Sequence, residues 1–237
     1  MKMNAEFHIH TRYSHDSILN SFFVLLMCKL KKINLLAITD HNEIIGAQKY
    51  KEKLSKHNIE VIVGEEIFTT EGEIIGLYLS HKIEPNLTPK ETIDLIKKQG
   101  GYVYIPHPYD EKRYKTVLKY DEIIRNKENI DFIEVHNGRN IDESFSKRQN
   151  EISNELEETV KIIGSDAHTF YELGRNFGTI DYTGKESLKN AVKEGMFKKK
   201  KCIKIAHLNT KIARIITLIE KGELYELFRV IKRKCKK

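Results

Sequence analysis

Apolar residues in this chain come in short blocks, and most blocks end on a cluster of polar ones. Over residues 6–11, Phe7 and Ile9 alternate with His8 and His10, the period-two pattern of a half-buried strand. Phe22, Leu25, Leu26 and Leu30 share one face of a helix predicted over 22–32, with Ser21 as its cap. Leu35-Leu36-Ala37-Ile38-Thr39 is continuous, as expected of a strand covered on both faces in a parallel sheet, and it ends in Asp40-His41-Asn42. A polar helix over 43–57 leads to a strand at 61–63 that ends in Gly64-Glu65-Glu66, and a further strand follows over 73–79. Thr88-Pro89-Lys90-Glu91 reads as a capping box with proline at the first helical position, opening a helix that stops at Gly100-Gly101. The strand at 102–105 ends in Pro106-His107-Pro108, and the one at 132–135 in His136-Asn137-Gly138-Arg139. A helix over 143–158 precedes the strand at 160–163, which ends in Gly164-Ser165-Asp166-Ala167-His168, and a short helix over 185–194 follows.

Strand, polar cluster and helix thus alternate, which predicts a parallel sheet covered by helices. The chemistry-bearing residues fall just past the C-terminal ends of the strands. In β/α barrels that rim holds the active site, because loops from several strands converge there.

Length and charge refine this picture. The 237 residues suffice for one large α/β domain with a sizeable core, and no apolar run approaches membrane-spanning length. With three cysteines, Cys28, Cys202 and Cys235, and no C-x-x-C spacing, neither a disulfide framework nor a thiolate metal site is expected. His8 arrives before any signal-peptide core, so a cytoplasmic protein is expected. The net charge of +7 is unevenly spread: residues 196–237 hold 14 Lys or Arg against 3 Asp or Glu, leaving 27 against 31 in the rest. An acidic body, suited to cations, carries a basic tail. We therefore divide the chain into a body, 1–195, and a helical extension, 196–237.

His8 and His10, two apart on a strand, project to one side and can reach one ion. Asp16, His41, Glu66, His107, Asp166 and His168 join them at other strand ends. Singly, each is more readily a hydrogen-bonded loop residue; eight on one rim point to a metal site. Asp40 is expected to orient a neighbour, and Glu65 to point away from Glu66. Arg12, Arg139 and Arg175 stand in or beside these loops and are candidates for bidentate phosphate contacts, or ordinary surface residues. His136 is a candidate general acid.

His8-x-His10-Thr11, Thr39-Asp40-His41, Gly64-x-Glu66, Pro106-His107-Pro108 and Gly164-Ser165-Asp166-x-His168 resemble the ordered motifs of the PHP (polymerase and histidinol phosphatase) family. Gly72-Glu73-Ile74-Ile75-Gly76-Leu77 and Phe132-Ile133-Glu134-Val135 are similar to its small stand-alone phosphoesterases. The resemblance implies a distorted (β/α)7 TIM-like barrel, two or three divalent metal ions, and hydrolysis of phosphate esters by a metal-activated hydroxide. It implies one metal on His8, His10, Glu66 and Asp166, a second on Glu66 and His107, and a third on Asp16, His41 and His168. The family's fuller pattern adds a histidine to the second position; here His81 does not align with it. Nitrogen and oxygen donors suit Mn²⁺, Fe²⁺ or Zn²⁺.

In the tail, Asn209 is expected to cap a helix with Ile212, Ile215, Ile216 and Ile219 on one face. Past Gly222, residues Leu224, Leu227, Phe228 and Ile231 form a second stripe. These helices either pack on the barrel with the lysines in solvent, or dock on anionic lipid or nucleic acid. The expected function is hydrolysis of a small organic phosphate monoester, with nucleotides among the candidates. A nuclease or phosphodiesterase, and a metal-bound module without turnover, are the alternatives.

Overall fold

A computed structural model describes residues 1–220 and 222. Strands β1 (Lys2–Ile9), β2 (Leu35–Ile38) and β3 (Glu60–Thr69) alternate with helices α1 (Ser21–Lys31) and α2 (Ile45–Ser55). Strand β4 (Gly72–Leu77) precedes α3 (Pro89–Lys98), β5 (Tyr102–Ile105), α4 (Tyr120–Arg125), β6 (Phe132–Asn137), α5 (Glu143–Ser153) and β7 (Val160–Gly164). β8 (Phe177–Asp181), α6 (Leu188–Lys193), β9 (Met196–Lys198) and α7 (Lys204–Glu220) complete the described chain.

The strands form one sheet in the order β7-β6-β5-β4-β3-β2-β1-β8-β9. Six of the first seven follow the expected parallel pairing. β4 departs from it and runs antiparallel to β3 and β5. The turn from Thr69 to Gly72 is too short for a crossover, so only a hairpin is available.

β1 shares one edge between two partners. Residues 2–5 pair antiparallel with β8. Further along, Ser165 N donates to Phe7 O at 2.9 Å, Ala167 N to His8 O at 3.3 Å, and His10 N to Ala167 O at 2.9 Å. That seam joins the end of β7 to β1 and makes a nearly closed, barrel-shaped sheet.

The strands face two apolar layers. Ala5, Phe7, Leu35, Ala37, Ile62, Ile75, Leu77, Tyr104, Phe132 and Ile162 pack inside the barrel. Leu36, Ile38, Val61, Val63, Ile74, Val103, Ile105 and Ile133 pack outward, against the helices. β1 changes phase at His8, where φ is +63° and the register to β2 shifts between Glu6 and Ile9. Before this bulge the odd residues face inward. After it Ile9 joins the outer layer, and His8 and His10 take the inside.

Helix capping is partly as expected. Thr88 and Glu91 form the capping box of α3. For α1 the cap is Asn20, whose side chain accepts from Phe23 N, rather than Ser21. Its buried face is Val24, Met27 and Cys28, while Phe22 and Leu30 are exposed. The sheet packs on the narrower stripe, one position away from the bulkier one.

The tail joins the body sooner than its charge suggested. β9 pairs antiparallel with β8, so the sheet crosses the expected boundary at residue 195. α7 begins at Lys204, with Asn209 inside it donating to Tyr171 Oη. Ala206, Ala213, Thr217 and Leu218 are buried, whereas Ile212, Ile216 and Ile219 are exposed. The stripe expected at Leu224, Leu227, Phe228 and Ile231 lies outside the described residues.

One buried clamp holds α7. Arg139, 5% exposed, donates to Glu172 Oε1 at 2.8 Å, to Thr210 Oγ1 at 2.5 Å and to Ala206 O at 3.3 Å. Removing one member of a buried ion pair strands the other, at about 3 kcal/mol. Arg139→Ala should therefore lower Tm by about 6–12 °C in a thermal melt. An unchanged Tm would mean that the clamp does not hold the helix.

Candidate metal centre

The inner layer ends upward in charged side chains. Phe7 gives way to His8 and His10 through the bulge, and Ile62 to Glu66 by strand alternation. Glu65 points outward, as expected, where its Oε2 accepts from Ile83 N at 2.9 Å. β6 has its own register shift between Glu134 and His136. Glu134 and Asn137 consequently face inside, and His136 faces α5.

Glu66 lies at the middle. Its oxygens are 3.3 Å from His8 Nε2, 3.3 Å from His10 Nε2, 3.1 Å from His107 Nε2 and 3.0 Å from His41 Nδ1. Asp166 Oδ1 is 3.8 Å from His8 Nε2 and 3.6 Å from His10 Nε2. Asp16 Oδ2 lies 3.2 Å from His168 Nε2 and 3.7 Å from His41 Nε2. All eight residues expected to bind metal therefore meet. His15 is exposed, and His81 is exposed with its ring against Ser80.

Hydrogen bonds fix which nitrogen of three imidazoles is free. His8 Nδ1 donates to Glu134 Oε1 at 2.7 Å, since a carboxylate only accepts. His168 Nδ1 donates to Asp166 O at 2.9 Å. Ser14 gives its proton to Asp40 Oδ1, so at 3.2 Å it accepts from His10 Nδ1. Each Nε2 is left facing the cluster, where it offers a lone pair once the ring is neutral. His8 Nε2 and His10 Nε2 are buried without a hydrogen-bond partner, which is how a ligand atom stands when its ion is the partner. The donors are nitrogen and carboxylate oxygen, and they fit divalent metal.

The motif residues that bear no ligand atom hold those that do. Asp40 accepts from Thr11 N at 2.5 Å and Thr11 Oγ1 at 2.7 Å, fixing the loop after β1. Glu134 also accepts from Tyr104 Oη at 2.5 Å, His107 N at 2.6 Å and Asn137 Nδ2 at 2.9 Å. Gly164 must be glycine, because a Cβ there would stand 1.8 Å from Glu134 Oε1.

Burial and neighbouring charge set the electrostatics. Burial alone would lower the pKa of His8, but the carboxylates of Glu66, Glu134 and Asp166 raise it well above the usual range. His10 is driven well down by burial and by His168 and His41. Burial would raise Asp166, yet Arg113 and His8 hold it well below the ordinary carboxylate range. Asp16 is likewise low, because His168 and His41 outweigh its burial. Glu73 is pushed up to about 8 by burial, then by the charge of Glu66.

Two of these groups escaped the sequence reading. Glu73 Oε2 lies 3.5 Å from His107 Nε2, and its Oε1 lies 3.7 Å from His41 Nδ1. The hairpin places it there, and the alternation Glu73, Ile75, Leu77 beside a two-residue turn carried the signal. Arg113 donates to Asp166 Oδ2 at 2.6 Å and to Asp110 Oδ2 at 3.0 Å. It lies in a short 3-10 turn with no periodicity to announce it.

The expected phosphate arginines and general acid have other partners in the structure. Arg139 is the clamp on α7. Arg175 donates to Lys201 O at 3.0 Å, and Arg12 is exposed. His136 contacts Ser146 Oγ at 3.2 Å and lines a cavity of about 500 Å³ with Asn140 and Lys199 to Cys202.

A barrel whose rim gathers histidines and carboxylates in this order defines a class of metal-dependent hydrolase folds. The family model for the PHP domain matches residues 6–225, and the chain belongs to that family. The uncharacterized protein MJ1587 of Methanocaldococcus jannaschii is 45% identical over 117 residues, covering 45% of this chain and 68% of its own. The uncharacterized protein MJ0417 of the same organism is 31% identical over 183 residues, covering 74% and 69%. A solved two-domain protein from Bacteroides vulgatus, containing a predicted PHP-like metal-dependent phosphoesterase, superposes with a TM-score of 0.67 at 16% identity. That match covers 84% of this chain and 65% of the other, and it is a likeness of fold.

Metal-stripped protein should gain about 2.7 kcal/mol when Mn²⁺ reaches 100 times its Kd. That corresponds to a Tm rise of about 5–11 °C. Asp166→Ala should lose most of the rise. An equal rise in the variant would place the ion elsewhere.

Proposed function

We propose that this centre hydrolyses phosphate monoesters of small organic molecules, nucleotides among them. The observation that carries the reading is a buried cluster of imidazoles about the Glu66 carboxylate, with a half-buried arginine beside it. Divalent cations bound to such a cluster activate water and neutralise phosphoryl oxygens. His8, His10, Glu66 and Asp166 would hold one ion, Glu66 and His107 part of a second, and Asp16, His41 and His168 a third.

The chain's own residues supply the rest. Arg113 keeps Asp166 ionised and turned so that Oδ1 faces His8 and His10. Its side chain is 21% exposed, and we assign its open edge to a phosphoryl oxygen. Glu134 holds His8, Ser14 holds His10, and the peptide oxygen of Asp166 holds His168, so the donors are preorganised. The donors are nearly all buried; Asp16 and His41, at 14%, are the most open. A terminal phosphate can enter such a recess end-on. An internal phosphodiester, substituted on both sides, needs a wider groove.

With p-nitrophenyl phosphate and Mn²⁺, the purified protein should turn over, and chelation should abolish activity. Asp166→Ala or His10→Ala should lower kcat by roughly 10³ or more. Arg113→Ala should raise KM for monoesters about tenfold, through loss of a charge-assisted contact. Turnover of oligonucleotides in preference to monoesters would favour a nuclease instead. Unchanged kcat in Asp166→Ala would refute the assignment.

A further inference from the structure

The second metal position looks underfilled from sequence, with Glu66 shared and His107 alone beside it. We propose that Glu73 is a ligand of that second ion. The position then offers two carboxylates and one imidazole, which shifts its preference from Zn²⁺ toward hard cations such as Mn²⁺. This deepens the reading of the centre as a metal-dependent hydrolase site and concerns which ions fill it.

Glu73 is 6% exposed and lies on β4, the one antiparallel strand of the barrel. Its side chain follows Ile75 and Leu77 on the inner face, one step nearer the rim. In the hairpin Glu66 pairs with Ile75 and Phe68 with Glu73, so the two glutamates are diagonal neighbours on that face.

Glu73 stands between two rings, with Oε1 3.7 Å from His41 Nδ1 and Oε2 3.5 Å from His107 Nε2. A carboxylate that merely orients a ligating histidine bonds to the ring nitrogen away from the metal, as Glu134 does with His8 Nδ1. Glu73 instead comes to His107 Nε2, at 3.5 Å, the nitrogen that also stands 3.1 Å from Glu66. His107 Nδ1 is buried and has no hydrogen-bond partner. Glu66 and Glu73 thus both approach His107 Nε2, and the two carboxylates also stand together beside His41. Two buried carboxylates about one imidazole nitrogen call for a cation between them. Histidine favours zinc, whereas carboxylates suit magnesium and manganese, so exchanging imidazole for carboxylate shifts preference toward the harder ions.

The test counts metal rather than turnover. Full-length metal-depleted protein is titrated with Mn²⁺ and separately with Zn²⁺ by calorimetry, and bound metal is measured by elemental analysis after gel filtration. Glu73→Gln keeps shape and removes charge; it should bind one Mn²⁺ equivalent fewer than wild type, or bind it at least tenfold more weakly. Glu73→His should restore the equivalent and move the Zn²⁺-to-Mn²⁺ affinity ratio at least tenfold toward zinc. A circular-dichroism melt confirms that both variants fold. Wild-type stoichiometry and affinity in Glu73→Gln would overturn the proposal, as would an unmoved ratio in Glu73→His. A protein inactive on every phosphate ester, yet losing a Mn²⁺ in Glu73→Gln, would refute the proposed function and leave this inference standing.

Discussion

The seam between β1 and the end of β7 is the contact on which the centre depends. Its three backbone hydrogen bonds bring Asp166 and His168, from late in the chain, against His8 and His10 near its start. Ser165 reinforces it, donating through Oγ toward Phe7 O and His8 O. The sheet is otherwise open at this point, so without the seam the first and third metal positions would be split in half. Backbone strain gathers at the centre as well. His8, His107 and Asp166 adopt φ of +63°, +30° and +51°. Non-glycine residues in that region cost of order 1–3 kcal/mol each, and such strain gathers where side chains must be aimed.

The second constraint is charge. Glu66, Glu73, Asp166 and Asp16 stand together with limited access to water, and repulsion among them is a substantial unfavourable term. The imidazoles and Arg113 offset part of it. Divalent ions would offset the remainder, and in that sense folding and metal binding share one free energy. The same arrangement leaves Nε2 of His8 and of His10 buried with no hydrogen-bond partner.

Much of this was legible from residues alone, and the gaps have physical causes. The eight candidate ligands could be read because most stand where an apolar block, and so a strand, must end. The facing of His8 and His10 was also right, but for an incomplete reason: a bulge turns them inward, and no residue pattern marks a bulge at histidine. The bulge in β6 misled in the opposite sense, turning His136 away from the centre. β4 was read as one more parallel strand, so Glu73 was passed over. Arg139 stood in a motif loop and looked functional, yet a helix far along the chain claims its guanidinium. Arg113 carried no local signal, since only tertiary packing brings its turn to Asp166. In the tail, charge obscured the fact that Ala206 and Ala213 give α7 a flat face for packing.

The account's central claim is that these buried donors form one multi-metal phosphate site. Anomalous diffraction from crystals grown with Mn²⁺ and inorganic phosphate tests it most directly. Manganese peaks should lie among His8, His10, Glu66 and Asp166, among Glu66, Glu73 and His107, and among Asp16, His41 and His168, with phosphate on them and within reach of Arg113. Density lacking any anomalous peak among these side chains, with Mn²⁺ well above its measured Kd, would contradict the account.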